Sequence, residues 1–114
     1  MQYSIKIRVE ALADIQEVVA WYEAKSIGLG DNFRIIVSKH IGQLDTFPYT
    51  YCIRYDNIRC IPLKKYPYMV HYAVDENTKE VQIFAVISTH RNPEIWRKMI
   101  QRSINTEQND VSVC

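Results

Sequence analysis

At 114 residues, with 47% hydrophobic and 24% charged side chains, the chain has the length for one domain around a single modest core. Eight tyrosines and two tryptophans against three glycines exclude a disordered chain, and no apolar run approaches membrane-spanning length. The formal charge of +1 hides an uneven distribution. Val9 to Lys25 carries four carboxylates against one lysine, whereas Arg54 to Arg102 carries nine cationic side chains against five carboxylates, which suits a partner with anionic character on one side.

Tyr3–Val9 alternates apolar Tyr3, Ile5, Ile7 and Val9 with polar Lys6 and Arg8, the period-two pattern of a strand. In the following EALADIQEVVAWYEAKS, Leu12, Ile15, Val18/Val19 and Tyr22 share one helical face, with Trp21 beside it. The Gly28-Leu29-Gly30 break leads into a second helix to about Asp45, with Leu29, Phe33, Ile36/Val37, His40/Ile41 and Leu44 at helical spacing. Gly42 inside it costs ~1 kcal/mol relative to Ala, so either the helix ends early or two backbones meet there. Two amphipathic helices on a short glycine-rich link predict a helical hairpin lying on a sheet.

Phe47-Pro48 closes that helix. Tyr49–Tyr55 and Ile58–Leu63 read as strands around an Asp56-Asn57 turn. A two-residue hairpin there sets Arg54 opposite Arg59, a destabilising pair of like charges. Either the pair awaits an anion or both side chains splay into water. Tyr66-Pro67 turns the chain into Tyr68–Val74. The polar loop 75–80 then precedes Val81–Ser88, which is apolar on both faces and therefore suited to the middle of the sheet. Asn92-Pro93-Glu94 is a helix start, with Asn as cap and Pro at the first helical position. Ile95/Trp96 and Met99/Ile100 form its apolar stripe. The order β-α-α-β-β-β-α predicts an α+β fold in one domain, residues 1–104, with 105–114 as a disordered tail.

Several chemistries are absent. The chain has no GxxxxGK[ST] or GxGxxG phosphate cradle. Cys52, Cys60 and Cys114 show neither CxxC nor Cys/His ligand spacing, so two buried thiols and a terminal one are expected, with no metal and no cofactor. The N-terminus lacks a signal-peptide pattern, and the chain reads as cytoplasmic. What remains is a polar set at the strand ends: Arg54, Arg59, Lys64, Lys65, Tyr68, His71, His90 and Arg91. Metal-free RNA cleavage needs a base, an acid and cations for the phosphorane charge, roles open to these residue types. Arg59, His90 and Arg91 are the candidate catalytic set, His90-Arg91 being sharpest because it precedes a helix start. The plainer reading leaves both in an exposed connection. Arg54, Lys64 and Lys65 are candidate anion contacts, against a solvated Lys-Lys corner. His71 and His40 read as satisfied buried histidines.

The chain also resembles the RelE/ParE superfamily of type II toxin–antitoxin toxins. The elements are Ala11-x-x-Asp14-Ile15 with Trp21-Tyr22-Glu23, Gly28-Leu29-Gly30 with Phe33, Phe47-Pro48, Ile58-Arg59, Tyr66-Pro67-Tyr68 with Tyr72, and His90-Arg91-Asn92-Pro93 with Trp96. The resemblance implies a helical hairpin on a mostly antiparallel sheet and a cognate antitoxin that wraps the toxin. It also implies operator DNA bound only through that antitoxin, and no membrane. Trp21, Tyr22 and Trp96 are the candidate antitoxin contacts. One branch of the superfamily cuts mRNA on the ribosome without metal, and the other inhibits DNA gyrase. Cys60, Pro62 and Met69 stand where the nuclease branch carries two lysines and an arginine, so the usual nuclease set is incomplete here. Two further readings are a catalytically inactive toxin fold that binds the antitoxin or another peptide, and a generic basic RNA-binding domain. The small net charge would make RNA binding by the latter weak and salt-dependent.

Overall fold

The computed structural model describes residues 2–101. The expected tail 105–114 lies outside them. The chain opens with strand β1 (Ser4–Ile7) and helix α1 (Val9–Lys25), continues through α2 (Leu29–Gly42) and a 3-10 turn (Gln43–Asp45), and then forms β2 (Ile53–Tyr55), β3 (Ile58–Pro62), β4 (Tyr68–Asp75) and β5 (Glu80–Ser88). Residues 94–101 form a helix, α3. The five strands make one sheet in the order β1-β5-β4-β3-β2. β1 runs parallel to β5, and the other pairings are antiparallel. The expected α+β architecture is therefore observed, with the doubly apolar β5 inside the sheet.

The sheet buries both faces. Against one lies the helical hairpin, through a cluster that includes Val19, Phe33, Val37, Ile41, Leu44, Val70, Tyr72 and Ile83. Against the other lies α3, whose Trp96 and Ile100 cover Ile58, Cys60, Met69, Ala73, Ala85 and Ile87. Alternation along β4 explains the division: Val70 and Tyr72 point to the hairpin, while Met69 and Ala73 point to α3.

The hairpin closes through one side chain. The Glu23 carboxylate accepts the backbone N–H groups of Gly28 (2.9 Å) and Gly30 (3.0 Å), donors that the start of α2 would otherwise leave unpaired. Gly28 holds φ +89°, which favours glycine. The close backbone approach that Gly42 suggested occurs at Gly30 instead. Gly42 ends α2, and a Cβ there would meet nothing within 4 Å.

The structure departs from the expected pattern between residues 46 and 59. Only Ile53–Tyr55 of the expected Tyr49–Tyr55 strand forms. The preceding loop is held by side chains instead: the Tyr72 hydroxyl donates to the Pro48 carbonyl (2.7 Å) and the Arg59 guanidinium to the Tyr51 carbonyl (2.6 Å). Cys52 sits in that loop and is exposed, not buried as expected, while Cys60 is buried. The Asp56-Asn57 turn does join β2 to β3, with Tyr55 opposite Ile58. Arg59, however, pairs with Ile53, and the register shifts between Ile53 and Tyr55. Arg54 is thus the extra residue of a bulge. An insertion of one residue changes which face a side chain takes, so the expected Arg54–Arg59 opposition does not arise.

Candidate functional site

β1 pairs with β5 only from Glu80 to Ile83. β5 runs five residues further, and on this flank helix α1 lies alongside it. The Val86 N–H donates to the Asp14 carboxylate at 3.0 Å, so a side chain of α1 takes the place a neighbouring strand would fill. Asp14, Glu17 and Trp21, spaced i, i+3 and i+7, project from one helical face. With Tyr68, Ser88, Arg91 and Met99 they line a cleft of about 270 Å³ between α1, the end of β5 and α3. Carboxylates form one wall, a guanidinium stands on another, and the exposed Trp21 ring lies at the rim. That ring packs edge-on against Tyr22 at 5.0 Å and carries the Lys25 ammonium over its face. Glu17 and Ser88 were not singled out from the sequence, and Asp14 entered only through the Ala11-x-x-Asp14-Ile15 element. The helical spacing of Asp14 and Glu17 with Trp21 was the available signal for the α1 wall.

Ser88 organises the loop beyond the cleft. Its Oγ accepts the His90 N–H at 3.1 Å and its carbonyl the Arg91 N–H at 3.1 Å. Asn92 caps α3 by accepting the Glu94 N–H at 3.0 Å, as its sequence position suggested. His90 and Arg91 are both exposed.

Arg59 does not join them. It lies opposite Tyr72, which lies opposite Ile83, five residues before Ser88. At ~3.3 Å per residue this is about 17 Å along the strand direction. Its guanidinium clamps the 46–52 loop and stacks over Tyr49 at 4.9 Å. Arg54 is on the α3 side, 5.7 Å over the Trp96 ring and 3.9 Å from the Met69 sulfur. Lys64 and Lys65 are exposed at the β3–β4 corner beside α2, away from Arg54. The three candidate aromatics also part. Trp21 is 54% exposed and Trp96 only 7%, while half-buried Tyr22 packs among Phe33, Tyr66 and Tyr68.

Beneath Trp96 lies a buried polar group. His71 has no exposed surface. Its Nδ1 is 2.9 Å from the Tyr55 hydroxyl and 3.4 Å from the Cys60 sulfur, while Nε2 has no partner, so this histidine is only half satisfied. Burial, reinforced by the Arg54 charge, lowers its pKa to about 4, and burial pushes the Cys60 thiol up to about 11. Imidazole, phenol and thiol are all neutral near pH 7 and shielded from solvent by α3. Among the described residues, no group of three or more His, Cys, Asp or Glu side chains is placed to hold a metal ion, and no helix is long and apolar enough to cross a membrane.

Residues 5–93 match the family model described as the ParE toxin of the type II toxin-antitoxin system, parDE. The chain belongs to the ParE toxin family. It is the toxin of a type II toxin–antitoxin system, and its partner is an antitoxin. Two solved structures share the fold. The chromosomal ParDE system from P. aeruginosa aligns with TM-score 0.67 at 18% identity, covering 76% of this chain and 96% of that one. The isolated E. coli RelE toxin aligns with TM-score 0.59 at 17% identity, covering 88% and 97%. No curated protein sequence matches at a significant level. The superfamily resemblance of the motifs and the fold it implied are thus both shown for this ParE toxin.

Proposed function

We propose that this ParE toxin arrests growth inside the cell by binding and inhibiting DNA gyrase, not by cutting mRNA. The separation of its cationic and proton-transfer groups carries this reading. Cleavage of a phosphodiester needs a base, an acid and charge stabilisation around one phosphorus atom. Arg59 is about 17 Å along the strand direction from the His90-Arg91 end of the sheet and is engaged in holding a loop. Met69 and Cys60, at positions where the nuclease branch carries cations, are packed under Trp96. A mechanism that works through surface contact makes no such demand. In this reading the antitoxin covers the cleft bounded by Asp14, Glu17, Trp21 and Arg91, with the exposed Trp21 ring as its apolar anchor.

Two assays on the purified full chain test the target. Gyrase supercoiling of relaxed plasmid is expected to fall as toxin is added, while mRNA stays intact in a ribosome-containing translation extract. Transcripts cut only when ribosomes are present, with supercoiling unaffected, would replace the gyrase reading with the nuclease one. Antitoxin binding without either effect would select the inactive binding module.

A further inference from the structure

The seam between the sheet and α3 closes over a histidine. His71 is fully buried there, and its ring meets Trp96 of α3 edge-on, with centroids 5.1 Å apart and planes at 71°. The elements around it present few charged groups. β2 brings Tyr55 and Arg54, β3 brings Cys60, and β5 sets Ala85 opposite. Tyr55 and Cys60 both meet Nδ1, and Nε2 has no partner. From α3, Arg97 reaches over the Tyr55 ring and is held by Asp56 of the β2–β3 turn.

An imidazolium needs an acceptor at each nitrogen. Protonated in place, His71 would carry an unpaired N–H at Nε2 and have the Arg54 guanidinium as its charged neighbour. Asp56 is exposed and already engaged by Arg97. The cation must therefore reach water. Two ways out are closed. β4 is paired on both sides, Cys60 and Ala85 each lying opposite His71, and the hairpin packs on the other face of the sheet. α3 is attached differently, through side chains, chiefly Trp96 and Ile100. With residues 94–101 alone, it is too short to persist as a helix once off the sheet.

We propose that α3 is a protonation-controlled cover: proton uptake by His71 releases α3 from the sheet while the helical hairpin stays packed on the other face. Release uncovers Ile58, Met69, Ala73 and Ile87 and frees the Trp96 ring. It also removes the α3 wall of the Trp21 cleft, which Met99 lines. An exposed imidazole takes up its proton near pH 6.5, whereas the covered ring resists until about 4. Between those values the open form gains about tenfold over the closed form for each unit of pH lost, and about 300-fold in all. Above pH 6.5 the opening equilibrium is independent of this proton. The device does not depend on which enzyme the toxin inhibits.

Hydrogen exchange of the full chain tests this, followed by mass spectrometry between about pH 7 and 4 and corrected for the intrinsic pH dependence of amide exchange. The amides of α3 are expected to be less protected than those of α2 at every pH, because the cover opens without global unfolding. Below pH 6.5 their protection should fall about tenfold per pH unit. His71→Phe should hold α3 protection flat over the same range. That variant alters a core position, so the parent chain decides on its own. Equal protection of α3 and α2 at each pH would mean that α3 leaves only with the whole fold, and α3 protection independent of pH would mean that its opening does not expose His71. Either result would overturn the proposal, as would an undiminished fall in a folded His71→Phe chain.

Discussion

Gly30 faces Val19 so closely that a Cβ added to it would lie 2.3 Å from the Val19 carbonyl oxygen. The obstacle is helix backbone, which cannot rotate aside as a side chain can. Gly30→Ala must therefore separate α1 from α2, and a loss of about 1–3 kcal/mol is expected, in the range of overpacked cores. Gly42→Ala is the matched control. Its site is open and its backbone is helical, so it should be neutral or gain about 0.4–1 kcal/mol by restricting the unfolded chain. Urea unfolding of both variants checks the contrast, and equal effects would contradict it.

The same junction should contribute to acid sensitivity. Hydrogen bonds from the Gly28 N–H first, and then from Gly30 and Asp31, hold the Glu23 carboxyl below its ordinary pKa of 4.5. A depressed carboxylate pKa stabilises the fold above the unfolded-state value and loses that contribution as pH falls through the folded value. Between about pH 5 and 3, Glu23→Gln should thus show a shallower decline in melting temperature than the parent. A decline of the same steepness would show that the carboxylate charge is not what closes the hairpin.

His71 acts over a different range. Its folded pKa of about 4 lies below the ordinary 6.5, so the unfolded chain takes up a proton that the folded chain refuses. Stability is unaffected above pH 6.5 and falls as the pH drops from there toward 4, by a total on the order of 3 kcal/mol. Unfolding free energies measured across that window should show this drop, and His71→Phe should flatten it. His90, exposed in the loop after β5, is the comparison: His90→Ala should leave the drop in place.

Growth assays should separate the two ends of the expected catalytic set. Arg59→Ala removes a charged donor from the Tyr51 carbonyl and should cost about 1.5–3 kcal/mol of stability. Any relief of toxicity it brings should therefore accompany a lower melting temperature. His90→Ala touches no packing and should arrest growth as the parent does. Relief by His90→Ala with stability unchanged would restore a chemical role for that imidazole.

The order of elements was legible because the periodicities are clean: two-residue alternation in β4, helical spacing from Leu12 to Tyr22, and the Asn92 cap. Parity was not. The inserted residue at Arg54 sends a cation expected beside Arg59 to the other face, and nothing in the composition of residues 53–59 marks a bulge. A second shift, between His71 and Tyr72, leaves Phe84 and Ala85 packed on the same side of the sheet. Burial of aromatic rings was equally hidden. Trp21 and Trp96 both sit on amphipathic helices, yet α1 leaves its indole outside while α3 inserts one between Tyr55 and His71. Helical spacing alone does not say how deep a face lies.

The two tryptophans should accordingly behave as opposites. Trp96 is 7% exposed and anchors α3 to the sheet. The exposed Arg97–Asp56 pair beside it adds little in solvent. Trp96→Ala should cost about 3–5 kcal/mol. Trp21 is 54% exposed, and its loss should shift the unfolding midpoint only slightly. If the antitoxin seats on the cleft, Trp21→Ala removes its apolar anchor, and affinity should fall roughly 30-fold or more, as for a central interface tryptophan. Calorimetric titration of the antitoxin into each variant, beside urea unfolding, measures both quantities. A folded Trp21→Ala toxin that still binds antitoxin with parent affinity would move the antitoxin surface elsewhere on the chain.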